Sequence, residues 1–199
     1  MSTTLSSLFG GGGGESPVSD YQSGGRYRIP LPQTPASGSF HSGVAYFTSM
    51  YFPKKTVLSS IGFTQGNSSN DNRGVKMGLY SSSGNLPHTL LASVDFTISD
   101  TSITPISRMG VFATPVEVEG LVWIANLSSN QLSAFIVTSY TRSDIFNAGI
   151  RVTELETLST SAPRLSVSQS VTFTSGLPAT ANTAAGWQTQ ALSAIVEIA

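Results

Sequence analysis

The residues of this chain that could do acid–base or metal chemistry are few and widely spaced. Its two histidines, His41 and His88, stand among turn-forming polar residues, where an imidazole is more often a solvated side chain than a general base. Glu117 and Glu119 in "VEVEG", and Glu154 and Glu156 in "TELET", share a Glu-x-Glu spacing. On a strand that spacing puts both carboxylates on one face, the pattern of a solvated edge; a glycosidase pair would need carboxylates converging from distant strands. "NSSNDNRG" (residues 67–74) is rich in oxygen but lacks both the D-x-[DN]-x-[DN]-G core and the closing glutamate of a calcium loop, so it reads as a turn. Gly10 to Gly14 imitate a phosphate loop only in composition, since no strand precedes them and neither a lysine nor a helix follows. With no cysteine there is no thiolate ligand, disulfide or Cys nucleophile. The chemistry therefore points to a protein that is not an enzyme, takes no cofactor and holds no metal.

Aromatic rings offer a different kind of site, because they carry apolar area with a polar handle and can stack on sugars or fill an interface. Tyr46, Tyr51, Tyr80, Tyr140 and Trp187 are the candidates, with Tyr80, Tyr140 and Trp187 foremost. Trp123 alternates with Leu121, Ala125 and Leu127 and is assigned to the core.

The elements that must position these residues read as strands. Charged residues make up only 11% of the chain, and 33 Ser and 21 Thr cover its surface in their place, a composition that suits strands and turns better than soluble helices. The formal net charge of -1 leaves no basic footprint for nucleic acid, and no apolar stretch is long enough for a membrane helix. The absence of a basic n-region with an h-region reads as a soluble protein without a secretory signal. From residue 40 onward, short alternating runs are split by turn residues. "VAYFTSMYF" is expected to stop at Pro53, and "VLSSIGFTQ" to set Val57, Ser59, Ile61 and Phe63 on one face. "VKMGLYS" sends Val75, Met77 and Leu79 one way and Lys76, Gly78 and Tyr80 the other, and "LLASVDFTI" puts Val94, Phe96 and Ile98 on one face. "SRMGVF" is a short strand, "VEVEGLVWIANLS" a hairpin-type pair relieved at Gly120, and "SAFIVTSY" the partner in a further hairpin. "GIRVTEL", "LSVSQSVTF" and "SAIVEIA" complete roughly nine or ten strands, a count suited to an all-β antiparallel sandwich with Greek-key connections. The stretch 147–158 has an ambiguous "ELETL" turn, and 179–186 reads as an irregular loop.

Ahead of this domain, residues 1–39 read as an extended, non-regular arm, leaving 40–199 as the β-sandwich. Five glycines and Pro17, Pro30, Pro32 and Pro35 oppose regular structure, yet Leu5, Leu8, Phe9, Tyr21, Tyr27, Ile29 and Leu31 supply apolar anchors that a plain linker would not need. Such an arm can lie along another subunit and become ordered only there.

Several stretches together carry a resemblance. "LSSLFGGGGG", "GGRYRIPL", "VKMGLYSSSGNLPHTLLAS", "VEVEGLVWIANLS" and "FTSGLPAT" resemble the small jelly-roll-type virion proteins of tailed bacteriophages, with the central pattern at Gly78, Leu79, Tyr80, Gly84, Pro87, Leu90, Leu91, Gly120, Trp123, Ile124 and Ala125. The resemblance implies a jelly-roll-like sandwich located in the virion, a non-enzymatic short tail fibre or appendage that recognises the host surface. A capsid decoration (cement) protein and a carbohydrate-binding module are the alternatives. It also implies other virion structural proteins and a host surface glycan as partners, and a homotrimer as the assembly.

Overall fold

The computed structural model describes residues 23–28, 36–66, 72–84, 86–98, 106–137, 166–182, 186–188, 191–192 and 194–199. Among them the chain is nearly all β, in one curled antiparallel sheet, with a short 3-10 turn at Phe173–Ser175 and no α-helix. The strands are β1 (Arg26–Arg28), β2 (Ala36–Phe40), β3 (Val44–Gln65), β4 (Arg73–Ser83), β5 (Leu86–Ile98), β6 (Ile106–Ser128), β7 (Leu132–Val137), β8 (Ser166–Ser170), β9 (Gly186–Gln188), β10 (Ala191–Leu192) and β11 (Ala194–Ile198). The main path runs β1-β11-β3-β6-β4-β5, while β8 and β9 extend the sheet beside the start of β3, and β2 and β10 pair with β7.

The spine is the β3–β6 pair, which holds from Tyr46↔Asn126 to Gln65↔Ile106 through two register shifts. Pro53 does not end the first strand, contrary to expectation. Proline has no N–H to give to a ladder, so it is accommodated at a bulge: Pro53 to Lys55 lie against Glu119 alone, between the pairs Phe52↔Gly120 and Thr56↔Val118. Gly120 takes φ +75°, a left-handed backbone that a side chain resists. At the second shift Ser59 opposes the run from Phe112 to Pro115. This odd count flips the parity of β3, so that Leu58 and then Ile61 and Phe63 face inward while Val57 is exposed. The expected Val57–Phe63 face is thus broken in the middle.

Two expected hairpins are also replaced. "VEVEGLVWIANLS" and "SRMGVF" belong to one continuous strand, β6, whose partner β3 lies far away in sequence. After Ser129 the chain turns away, and β7 pairs with β2, β10 and, at Ala134, with Gln65 of β3. Alternating side chains fit a local and a remote partner equally well, and here the remote ones form. Because Gln65 at the far end of β3 bonds to the strand that follows β6, the ribbon curls back on its own continuation. The inside of the curl is filled by Phe40, Met50, Phe52, Leu58, Ile61, Phe63, Val75, Met77, Leu79, Ile124, Leu132 and Val196, among others, all buried.

The described parts of the segment read as an arm pair with the chain's own later strands. Residues assigned to the arm form β1 and β2: Tyr27 is in register with Val196 of the chain's own β11, and Ala36 to Phe40 run along β7 from Ile136 to Leu132. Leu5, Leu8, Phe9, Tyr21, Ile29 and Leu31 lie outside the described residues.

Two glycines separate the causes at work in the spine. A Cβ at Gly62 would overlap the Arg108 carbonyl and come within 2.5 Å of Met109 Sδ, whereas one at Gly120 meets nothing. Gly62→Ala is expected to destabilise by at least about 3 kcal/mol, because backbone must move, and Gly120→Ala by about 1 to 2 kcal/mol, the strain of its dihedral alone. Urea melts with unchanged slope check both.

Candidate functional site

One half of the sheet is buried on both faces. On the side away from the inner core, Phe47 of β3, Tyr80 of β4, Trp123, Ala125 and Leu127 of β6 and Val167 of β8 form a second cluster. Each such large side chain gains about 2 to 3 kcal/mol from leaving water, so this face requires a cover. The cover is a strap, residues 171–182, which lays Val171, Phe173, Leu177 and Ala181 over it.

The strap is tied along its length. Val171 N–H donates to the Gly43 carbonyl at 2.9 Å, and Asn182 N–H to Gln169 Oε1 at 2.8 Å. Leu90 N–H donates to Ala179 O at 2.9 Å and Ala181 N–H to His88 O at 2.7 Å, around a Thr89↔Thr180 bridge that covers part of the outer edge of β5. The Tyr80 hydroxyl, reaching through the second cluster, donates to Pro178 O at 2.7 Å. Gly74 and Gly78 leave the space that seats it: a Cβ at Gly74 would come within 2.5 Å of the Phe173 ring, and one at Gly78 within 2.7 Å of Leu177 Cδ1. Lys76, ion-paired with Asp95, sets its Nζ 5.1 Å from the centre of the Phe173 ring.

Where the strap begins, it borders an open groove of about 470 Å³ lined by Ser42, Gly43, Ser129, Ser170, Val171, Thr172 and Phe173. Gly43 precedes β3 and Ser129 follows β6. Ser129 and Gly74 exchange hydrogen bonds of 2.9 Å, N–H to carbonyl in one direction and N–H to Oγ in the other, which fixes the floor against β4. Four of the lining residues carry hydroxyls, set in a surface that is more apolar than polar, with one ring and a nearby lysine–carboxylate pair. Such a set can exchange donors and acceptors with a polar, uncharged ligand and place a ring edge against its apolar patches.

The sequence-derived candidates fall elsewhere. Tyr80 is not a surface ring: it is fully buried, with Phe47 edge-on at 5.1 Å, because the strap covers the face of β4 that alternation alone would leave to solvent. Burial pushes its phenol pKa above the usual tyrosine value. Trp187 stands in β9 opposite Val167, and Tyr140 lies outside the described residues. Tyr46 is buried against Phe40, whereas Tyr51 is exposed. Glu117 and Glu119 are exposed on β6; Glu117 accepts a 2.9 Å hydrogen bond from Lys55 and so raises the lysine's pKa. His41 and His88 are both exposed, His88 Nδ1 being paired with the Thr89 hydroxyl. Glu154, Glu156, the 147–158 stretch and the 67–71 part of the oxygen-rich loop lie outside the described residues. Sequence reasoning missed the groove because its hydroxyls are scattered over three separate stretches without a motif. The one usable signal was the pair Gly74 and Gly78, spaced to seat large side chains on the outer face of β4.

No protein-family model matches the chain, and comparison with curated proteins finds no match.

The strap yields two expected outcomes. Gly74→Ala lifts Phe173 from its seat and speeds proteolysis within 171–182, and adding Phe173→Leu restores part of the protection. Tyr80→Phe leaves the Pro178 carbonyl unpaired and costs about 1 to 2 kcal/mol at neutral pH. The raised phenol pKa stabilises fully below about pH 10, where an unfolded tyrosine is also protonated, and that contribution is lost as pH climbs further, because the unfolded chain releases a proton the folded chain keeps. Urea melts between pH 8 and 11 should show an alkaline decline that is shallower in Tyr80→Phe.

Proposed function

We propose that this chain is a non-enzymatic structural protein of a tailed-phage virion, a short tail fibre or appendage that displays its β-domain for recognition of the host surface. In this reading the curl is a jelly-roll-type sandwich: a long antiparallel ribbon bent at its bulges and returning to β7, with a second layer of packing beneath the strap. The observation that carries the proposal is the groove of Ser42, Ser129, Ser170 and Thr172 beside Phe173, hydroxyls and a ring on backbone hydrogen-bonded to the sheet. It suits a host surface glycan, whose hydroxyls pair with serines and whose C–H faces pack on a ring. The attachment arm is then the leader ahead of β1, residues 1–22, joined to other virion proteins and to two further copies in a trimer.

Binding of the purified chain to immobilised host polysaccharide tests the recognition role. Phe173→Ala is expected to weaken it by about tenfold, the worth of one well-made ring contact; equal binding by both proteins, or none by either, rejects the groove. Immunogold label on the tail of intact particles is expected, and label confined to the head rejects the appendage. Light scattering on the full chain and on a form lacking residues 1–22 should give a trimer and a monomer respectively, and compact monomers for both remove the role of the leader.

A further inference from the structure

Asn126 is fully buried on the inner face of β6, in register with Tyr46 of β3 and Met77 of β4, and neither its Oδ1 nor its Nδ2 has a hydrogen-bond partner. Two residues on, facing the same way, Ser128 is equally buried with its Oγ also unpartnered. On β3, the hydroxyls of Tyr46, opposite Asn126, and of Thr48, opposite Ile124, are engaged elsewhere. Thr48 Oγ1 accepts the Leu192 N–H at 3.1 Å, and the Tyr46 hydroxyl accepts the His41 N–H at 3.4 Å.

A carboxamide brings two donors and an acceptor, and a hydroxyl brings one donor with acceptor capacity. Buried groups of this kind are satisfied in nearly every folded protein, since the hydration they give up is otherwise unreplaced. Residues two apart on a strand are about 7 Å apart. On one face, side chains at that spacing can lean toward each other until their polar atoms share one small molecule, which bridges atoms up to about 5.6 Å apart with two hydrogen bonds of about 2.8 Å. The chemistry selects its class: Asn126 and Ser128 are uncharged and carry donors and acceptors together, and water, which donates and accepts, matches either end of the carboxamide and the hydroxyl without bringing a charge into the core.

We propose that Asn126 and Ser128 form an internal hydration site, one water molecule held between carboxamide and hydroxyl inside the curl. The site fixes the register of β6 between β3 and β4. A slip of one residue would carry Asn126 and Ser128 into the apolar second cluster, where Ala125 and Leu127 now sit.

Nuclear Overhauser spectra of the full chain, with oxygen-17 relaxation dispersion, test this. Cross-peaks between the Asn126 side-chain amide protons and water are expected, and Asn126→Leu should reduce the slow-water dispersion amplitude by that of one molecule. Ser128→Ala, a milder change that keeps the site testable if the leucine variant does not fold, should shorten the residence time by about tenfold, the loss of one hydrogen bond. Amide cross-peaks to protein protons only, an unchanged amplitude in Asn126→Leu, or an unchanged residence time in Ser128→Ala would overturn the proposal.

Discussion

The pairing of β3 with β6 is the constraint on which the rest of the molecule depends. The pairs Tyr46↔Asn126 and Gln65↔Ile106 join segments far apart in sequence, so the chain must close long loops before the ribbon returns any stability. Once formed, the ribbon presents free edges along most of its length. β4 docks on the late part of β6, while β8 and β11 dock on the early and late parts of β3. The bulges at Pro53–Lys55 and at Phe112–Pro115 bend it, and the bend brings Gln65 back to β7. Straighten either bulge and the inner face no longer encloses a core.

From this spine follows the unequal treatment of the two faces. Where β4, β6 and β3 lie side by side, both surfaces carry large apolar side chains, Leu79 and Ile124 inward, Tyr80 and Trp123 outward. A sheet dry on both faces needs a second cover, and the strap supplies it with irregular backbone. Its polar groups are therefore bonded out at Gly43, Gln169 and both sides of Thr89, and the Tyr80 hydroxyl satisfies the Pro178 carbonyl that the cover would otherwise strand. The groove exists because the strap starts just where the turns flanking β3 and β6 meet it.

Local periodicity was legible, and partnership was not. Val75, Met77 and Leu79 face the inner core, as their alternation requires, and Val94 and Ile98 do the same. The all-β character was written in the hydroxyl-rich composition. What failed was each inference needing to know who pairs with whom: Pro53 reads as a terminator unless a bulge is available, and Gly120 reads as a turn unless a remote strand holds the chain straight. "RYR" and "ASGSF" look like linker until β11 and β7 are seen to offer edges. Tyr80 shows the same limit from the other side, since polar–apolar alternation says which face a ring points to and not whether another segment covers it. The groove lay beyond reach for a related reason, since Ser42, Ser129 and the 170–173 run are ordinary residues brought together only by the curl.

That ordinary lining has its own logic. Binding a polar ligand orders the side chains that touch it, at about 0.5 to 1.5 kcal/mol for each long, rotamer-rich one. Serine and threonine have little rotamer freedom to lose, and at Ser42, Ser129, Ser170 and Thr172 they stand on backbone already held by the spine, by Gly74 and by the strap. A surface of lysines and glutamates would bind a sugar-like ligand only after giving up far more motion, and its strength would fall with salt. Under the proposed glycan-binding role, the scarcity of charge and the abundance of hydroxyls, first seen as composition, have one physical sense with the curl: short donors and acceptors preset in place, so that the modest enthalpy of each contact is not spent on ordering.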